Sequence, residues 1–110
     1  MQTGRVMKNL IDTYLELRRK IDVSLLRNFN VIIIMQPKIF MELREELNGD
    51  IRKEKNINCY FIQFCGQKTP ILIDYELPKE VEFQIMTQRD YERIEKEKMI
   101  ERLNKMFYER

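Results

Sequence analysis

Apolar residues first recur at helical spacing. Met7, Leu10, Ile11, Tyr14, Leu17 and Ile21 share one side of a wheel, with Lys8, Asp12, Glu16, Arg18 and Arg19 elsewhere on it. This period predicts an amphipathic helix over residues 5–21, then a short helical turn around Ser24 to Arg27 with Ser24 as its N-cap. The period then breaks. Val31-Ile32-Ile33-Ile34-Met35 is uninterrupted and mostly β-branched, the pattern of a strand buried on both faces and therefore central in its sheet. Pro37 stands where the first turn of a helix tolerates it. Phe40, Leu43 and Leu47 mark the apolar face of that helix, with Ile39 beside them, and Gly49 is the expected stop.

Residues 50–58 are charged and aperiodic, and read as an exposed connection. Cys59 to Cys65 reads as a strand with Tyr60, Ile62 and Phe64 on one face and Phe61 on the other, followed by a turn at Gly66-Gln67-Lys68. Pro70 is the expected start of the next strand, where Ile71, Ile73, Tyr75 and Leu77 alternate with Leu72, Asp74 and Glu76. Val81, Phe83 and Ile85 alternate with Glu82 and Gln84 as a further, half-exposed strand. Thr87 is a good N-cap for a last helix over residues 88–108, and Asp90 suits the positive end of its dipole. The order α-β-α-β-β-β-α predicts one α+β domain over residues 1–110. Its mixed sheet has about four strands, with N-terminal, middle and long C-terminal helices.

That last helix carries Tyr91 and Ile94 at its start. Glu95-Lys96-Glu97-Lys98 then interrupts the apolar stripe before Met99, Ile100, Leu103, Met106 and Phe107. Glu92–Lys96, Arg93–Glu97 and Glu101–Lys105 are spaced for i,i+4 ion pairs, each contributing about 0.2–0.5 kcal/mol. At about 1.5 Å per residue the helix spans roughly 30 Å, the width of the whole domain. The five distal apolar residues therefore have two readings: core packed against the first helix, or a partner-binding element that projects past the sheet.

Composition narrows the chemistry. The apolar fraction is 44% and the charged fraction 35%, which fits a folded domain with a heavily charged surface. Net charge is +2, from 20 basic against 18 acidic side chains, so only a local patch could draw in nucleic acid. Two basic clusters stand out, Arg18-Arg19-Lys20 with Arg27, and Arg52-Lys53-Lys55. Each is diluted by neighbours such as Glu16, Asp22, Asp50 and Glu54. They would release few counterions, and direct nucleic-acid binding is not expected. No apolar run approaches the ~20 residues a bilayer requires, and there is no signal-peptide pattern, so the expectation is a cytosolic protein with no membrane partner.

The chain has no histidine and one serine, Ser24, which removes Ser-His-Asp and Cys-His nucleophile systems. Two cysteines cannot complete a structural zinc site. In a straight strand Cys59 and Cys65 would stand about 20 Å apart, too far for a disulfide. The three glycines, Gly4, Gly49 and Gly66, are too scattered for a phosphate-binding loop. No catalytic residue, metal or cofactor is assigned. The best remaining constellation is Asp74 on one strand with Glu82 and Gln84 on the next. It follows the order of metal-dependent nucleases that use Asp…Glu-x-Lys, with Gln84 in the lysine position. A plain solvated face also accounts for those residues.

Val31–Leu47, a hydrophobic strand ending in Met35-Gln36-Pro37 and feeding a helix with Phe40 and Leu43, resembles a module of tailed-phage major capsid proteins. Gly66, then Thr69-Pro70-Ile71-Leu72-Ile73-Asp74 and Glu76-Leu77-Pro78, is similar to their later Gly-x-Pro strand and acidic loop. The pairing also resembles small proteins of phages and prophages in low-GC bacteria. The chain departs from the capsid pattern in lacking room for a spine helix, extended loop and N-terminal arm. The resemblance therefore implies a small phage accessory protein in the host cytosol. Such a protein would bind a host protein surface, for example as an inhibitor of a defence complex such as a CRISPR effector. A self-assembling capsid-related component is the alternative, and a metal-dependent nuclease the second alternative.

Overall fold

The computed structural model describes residues 4–20, 30–49, 51–53, 59–64 and 66–108. At its centre Val31–Met35 forms strand β1, all five side chains buried. The other elements are helices α1 (Arg5–Lys20), α2 (Pro37–Glu46) and α3 (Gln88–Tyr108), and strands β2 (Arg52–Lys53), β3 (Tyr60–Phe64), β4 (Gln67–Ile73) and β5 (Phe83–Thr87). The strands form one mixed sheet in the order β2-β3-β4-β1-β5. β1 runs parallel to β4, with Ile33 opposite Ile71, and antiparallel to β5, with Ile33 opposite Ile85. The α+β class is as the sequence predicts; β1 is an interior strand paired on both sides, but the middle strand of the five is β4.

Alternation along β1 creates two different cores. Val31, Ile33 and Met35 join Val6, Leu10 and Tyr14 of α1, Ile39, Phe40 and Leu43 of α2, and Ile62, Phe64 and Ile71 of the sheet. Tyr14 meets Phe64 edge to face at 5.3 Å, and Phe40 meets Tyr60 at 4.6 Å. Ile32 and Ile34 point the other way and are also buried. α3 packs on β1 and β5, and its half-buried Tyr91 and Ile94 stand outside the first cluster. The start of α3 therefore covers the second face.

Polar side chains lock the helices to this frame. The Glu46 carboxylate, at the end of α2, accepts from the backbone N–H groups of Val6 and Met7 at 2.8 and 3.0 Å, capping α1 from 40 residues away. A Cβ on Gly4 would overlap the Glu46 side chain, which explains the glycine there. Gln36, at the corner between β1 and α2, donates its side-chain amide to the Pro78 and Val81 carbonyls at 2.7 and 2.8 Å. That fixes the loop leading into β5.

Several details differ from the sequence reading. Residues 50–58 were expected to be a plain connection, yet Arg52 and Lys53 pair with Phe61 and Tyr60 as a fifth strand. β4 starts at Gln67 and not at Pro70, because Gln67 and Lys68 pair with Phe64 and Gln63. Pro70 is tolerated inside it because the β1 ladder begins only at Ile71. β4 ends at Ile73, where Asp74 accepts from the Glu76 N–H at 2.8 Å and turns the chain. At the end of α2 the left-handed residue after the cap is Asn48 (φ 52°), with Gly49 (φ 80°) following it. The bonds Gly49 N–H to Arg44 and Asn48 N–H to Glu45 make this a Schellman motif. The predicted turn at Ser24 to Arg27, Ile21 and Cys65 lie outside the described residues. Cys59 is a buried thiol whose Sγ lies 3.8 Å from the Ile71 carbonyl oxygen.

The Glu46 cap generates a coupling prediction. Gly4→Ala and Glu46→Ala should each destabilise the fold by about 1–2 kcal/mol, the range of a lost cap. The double variant should cost no more than the larger single one, since both act on the same bonds. Urea denaturation of the four proteins measures this; additive costs would show that Gly4 matters for another reason.

Candidate functional site

α3 divides into two halves that face different ways. Its start is well specified: the Asp90 N–H donates to Thr87 Oγ1 at 3.1 Å, the predicted N-cap. Tyr91 and Ile94 then turn to the sheet. Tyr91 is half-buried against the domain, and that burial pushes its hydroxyl above its ordinary pKa, with Glu95, Cys59 and Asp74 adding to the effect. At about 100° per residue, the same side of the helix continues as Lys98, Glu101, Arg102 and Lys105. A charged continuation cannot be buried, so the sheet-facing stripe ends after two turns.

The distal apolar residues do not resume that stripe. Met99, Ile100, Leu103, Met106 and Phe107 cluster about 150° around the helix from Tyr91 and Ile94. They are 45–73% exposed, so they are not core packed on α1. The molecule measures 57 × 35 × 31 Å, and α3 is about 31 Å long. The ion pairs found on α3 among the described residues are Arg93–Asp90 at 3.9 Å and Lys98–Glu95 at 3.7 Å. Both are i,i+3 pairs, in place of the three i,i+4 pairs expected. Side chains at this range and exposure stabilise the helix only slightly.

The basic clusters are dispersed. Arg18, Arg19 and Lys20 are exposed on the last turn of α1, where they favour its negative end. Arg18 lies 5.8 Å from the Tyr14 ring centroid. Arg52 and Lys53 are exposed but neighbours along one strand, so they point to opposite faces. Lys53 stands 5.9 Å from the Tyr60 ring centroid. Lys55 and Arg27 lie outside the described residues.

The carboxylate constellation does not assemble as expected. β1 lies between β4 and β5, so Asp74 and Glu82 flank a strand and do not sit on adjacent ones. Asp74 is engaged in its own turn, and Glu82 accepts from the Arg5 guanidinium at 3.0 and 3.2 Å. Arg5 also grips Glu42 through Nε at 3.2 Å and Nη2 at 2.8 Å, linking α1, α2 and the approach to β5. Sequence reasoning missed this group because Arg5 and Glu82 are 77 residues apart. Among the described residues no three His, Cys, Asp or Glu side chains converge as metal ligands, and no helix is long and apolar enough to cross a membrane. No protein-family model, curated protein or solved structure matches the chain.

Hydrogen bonds from Arg5 hold the Glu42 carboxyl below its ordinary value of 4.5. A depressed folded-state pKa adds stability that is fully present above the unfolded value and is lost as pH falls through the folded one. Arg5→Met should therefore lower the denaturation midpoint at pH 7, and its deficit against the intact chain should shrink as pH falls below about 4.5. A deficit that stays constant over that window would show that Arg5 acts through packing alone.

Proposed function

We propose that this chain is a non-enzymatic protein-binding module that docks the distal half of α3 into an apolar groove of another protein. The observation that carries the reading is the exposure of Met99, Ile100, Leu103, Met106 and Phe107 on a helical side about 150° from Tyr91 and Ile94. Large apolar residues scattered singly need no explanation, but five on one helical face match the anchors of helix-in-groove recognition. Two are methionines, whose flexible thioethers adapt to irregular apolar surfaces. Together with the phage-like resemblance, this supports a small phage accessory protein that occupies a host protein surface in the host cytosol. Blocking a surface of a defence complex such as a CRISPR effector is one form that inhibition would take.

Leu103→Asp combined with Met106→Asp should leave the circular dichroism spectrum unchanged and the stability within about 0.5 kcal/mol, as for exposed positions. In a pull-down from host lysate, the intact chain should capture a defined protein that this variant, and a folded chain ending at Glu97, do not. Unfolding of the double variant would return the stripe to the core and remove the proposal. Capture that survives both changes would move the interface elsewhere.

A further inference from the structure

The two edges of the sheet are built differently. The β2 edge is two residues long, and both are charged and exposed, a form that blocks pairing with another strand. The β5 edge is five residues, Phe83-Gln84-Ile85-Met86-Thr87, with no charge and no proline. Its register with β1 runs without a bulge from Val31 opposite Thr87 to Met35 opposite Phe83.

The ladder also shows which backbone groups this edge offers. Beyond its two ends, Gln36 N–H donates to the Glu82 carbonyl at 3.1 Å and Gln88 N–H donates to the Asn30 carbonyl at 3.0 Å. Antiparallel pairs alternate between hydrogen-bonded and non-hydrogen-bonded. The bonded pairs within the ladder are therefore Ile34 with Gln84 and Ile32 with Met86. Phe83 and Ile85 turn their N–H and C=O groups outward, and Thr87 turns its N–H outward while its carbonyl starts α3. Among the described residues none takes these groups.

We propose that β5 pairs antiparallel with β5 of a second copy of this chain, about a two-fold axis through Ile85, joining the two sheets edge to edge. The sequence of the strand is self-complementary in that register. Ile85 exchanges both of its outward bonds with Ile85 of the second copy, and the Thr87 N–H donates to the Phe83 carbonyl across the axis. On the face carrying α1 and α2, Phe83 stands opposite Thr87, an aromatic and β-branched pair of the favoured kind. On the other face Gln84 stands opposite Met86, and no charge meets a like charge. The register also keeps like faces of the two sheets on the same side, as an isologous interface requires. This contact is separate from the α3 stripe and does not depend on it.

Sedimentation of the intact chain should show a dimer forming at high concentration. Amide exchange tells which surface forms it. The Ile85 and Thr87 amides should gain roughly tenfold protection as the dimer fills, while Gln84 and Met86 stay protected throughout. Ile85→Pro removes no bond to β1, because that N–H points outward, and should give a folded monomer. Should it fail to fold, Gln84→Cys combined with Met86→Cys serves instead. These positions face each other across the axis at about 4.5 Å between Cα atoms, so mild oxidation should link two chains. A chain that stays monomeric at every concentration overturns the proposal. So does a dimer with an unprotected Ile85 amide, or one abolished by Leu103→Asp but retained by a folded Ile85→Pro.

Discussion

Five consecutive apolar side chains in β1 must leave water on both faces of the sheet, and the rest of the architecture answers that demand. One helix cannot do it, because alternate residues along a strand point in opposite directions. α1 and α2 enclose Val31, Ile33 and Met35, while Ile32 and Ile34 depend on the first two turns of α3. Burying a side chain of this size contributes about 1.5–3 kcal/mol, more than any single polar contact described above. The parallel pairing of β1 with β4 follows from the same burial. Parallel neighbours need a crossover, which α2 and the excursion through β2 and β3 supply.

Polar contacts then decide how the covering elements are held, at smaller energies. The Arg5 bridges to Glu42 and Glu82 are half exposed, and pairs of that kind contribute little on their own. Their geometry matters more than their energy, because one planar guanidinium fixes three segments at once. Glu46 differs in that it satisfies backbone donors that α1 would otherwise leave without an intrahelical partner. Gly4, which the sequence marks only as one of three scattered glycines, leaves the space that this side chain occupies.

Regular periods made most of the elements legible: the helical spacing from Met7 to Leu17, the unbroken β1 run, and the cap at Thr87 before α3. What escaped was set by contacts distant in the chain. β2 is two charged residues recruited by the backbone of β3, with no apolar pattern to announce them. The Asp74–Glu82 idea assumed that strands adjacent in sequence are adjacent in the sheet, and β1 stands between them. The orientation of distal α3 is a different case, because the spacing already contained it. Met99 is five residues beyond Ile94, and five residues turn a helix by about 500°, so the second apolar run cannot continue the first. An apolar stripe has a phase as well as a period.

That change of phase separates the folding of the domain from whatever the distal helix does. An isolated segment of this length would be marginally helical in water, since nucleation is costly. Here the first two turns are nucleated by the Thr87 cap and by packing on β1 and β5, so the distal half only has to propagate. The apolar side chains on it add almost nothing to the burial that stabilises the domain, and their identities are therefore not constrained by the core. A helix already formed before docking loses less conformational entropy on binding than a segment that must order at that moment. The charged residues Lys98, Glu101 and Lys105, on the helical side of Tyr91 and Ile94 and exposed, are thus as informative as the apolar side opposite: they mark where packing on the sheet stops.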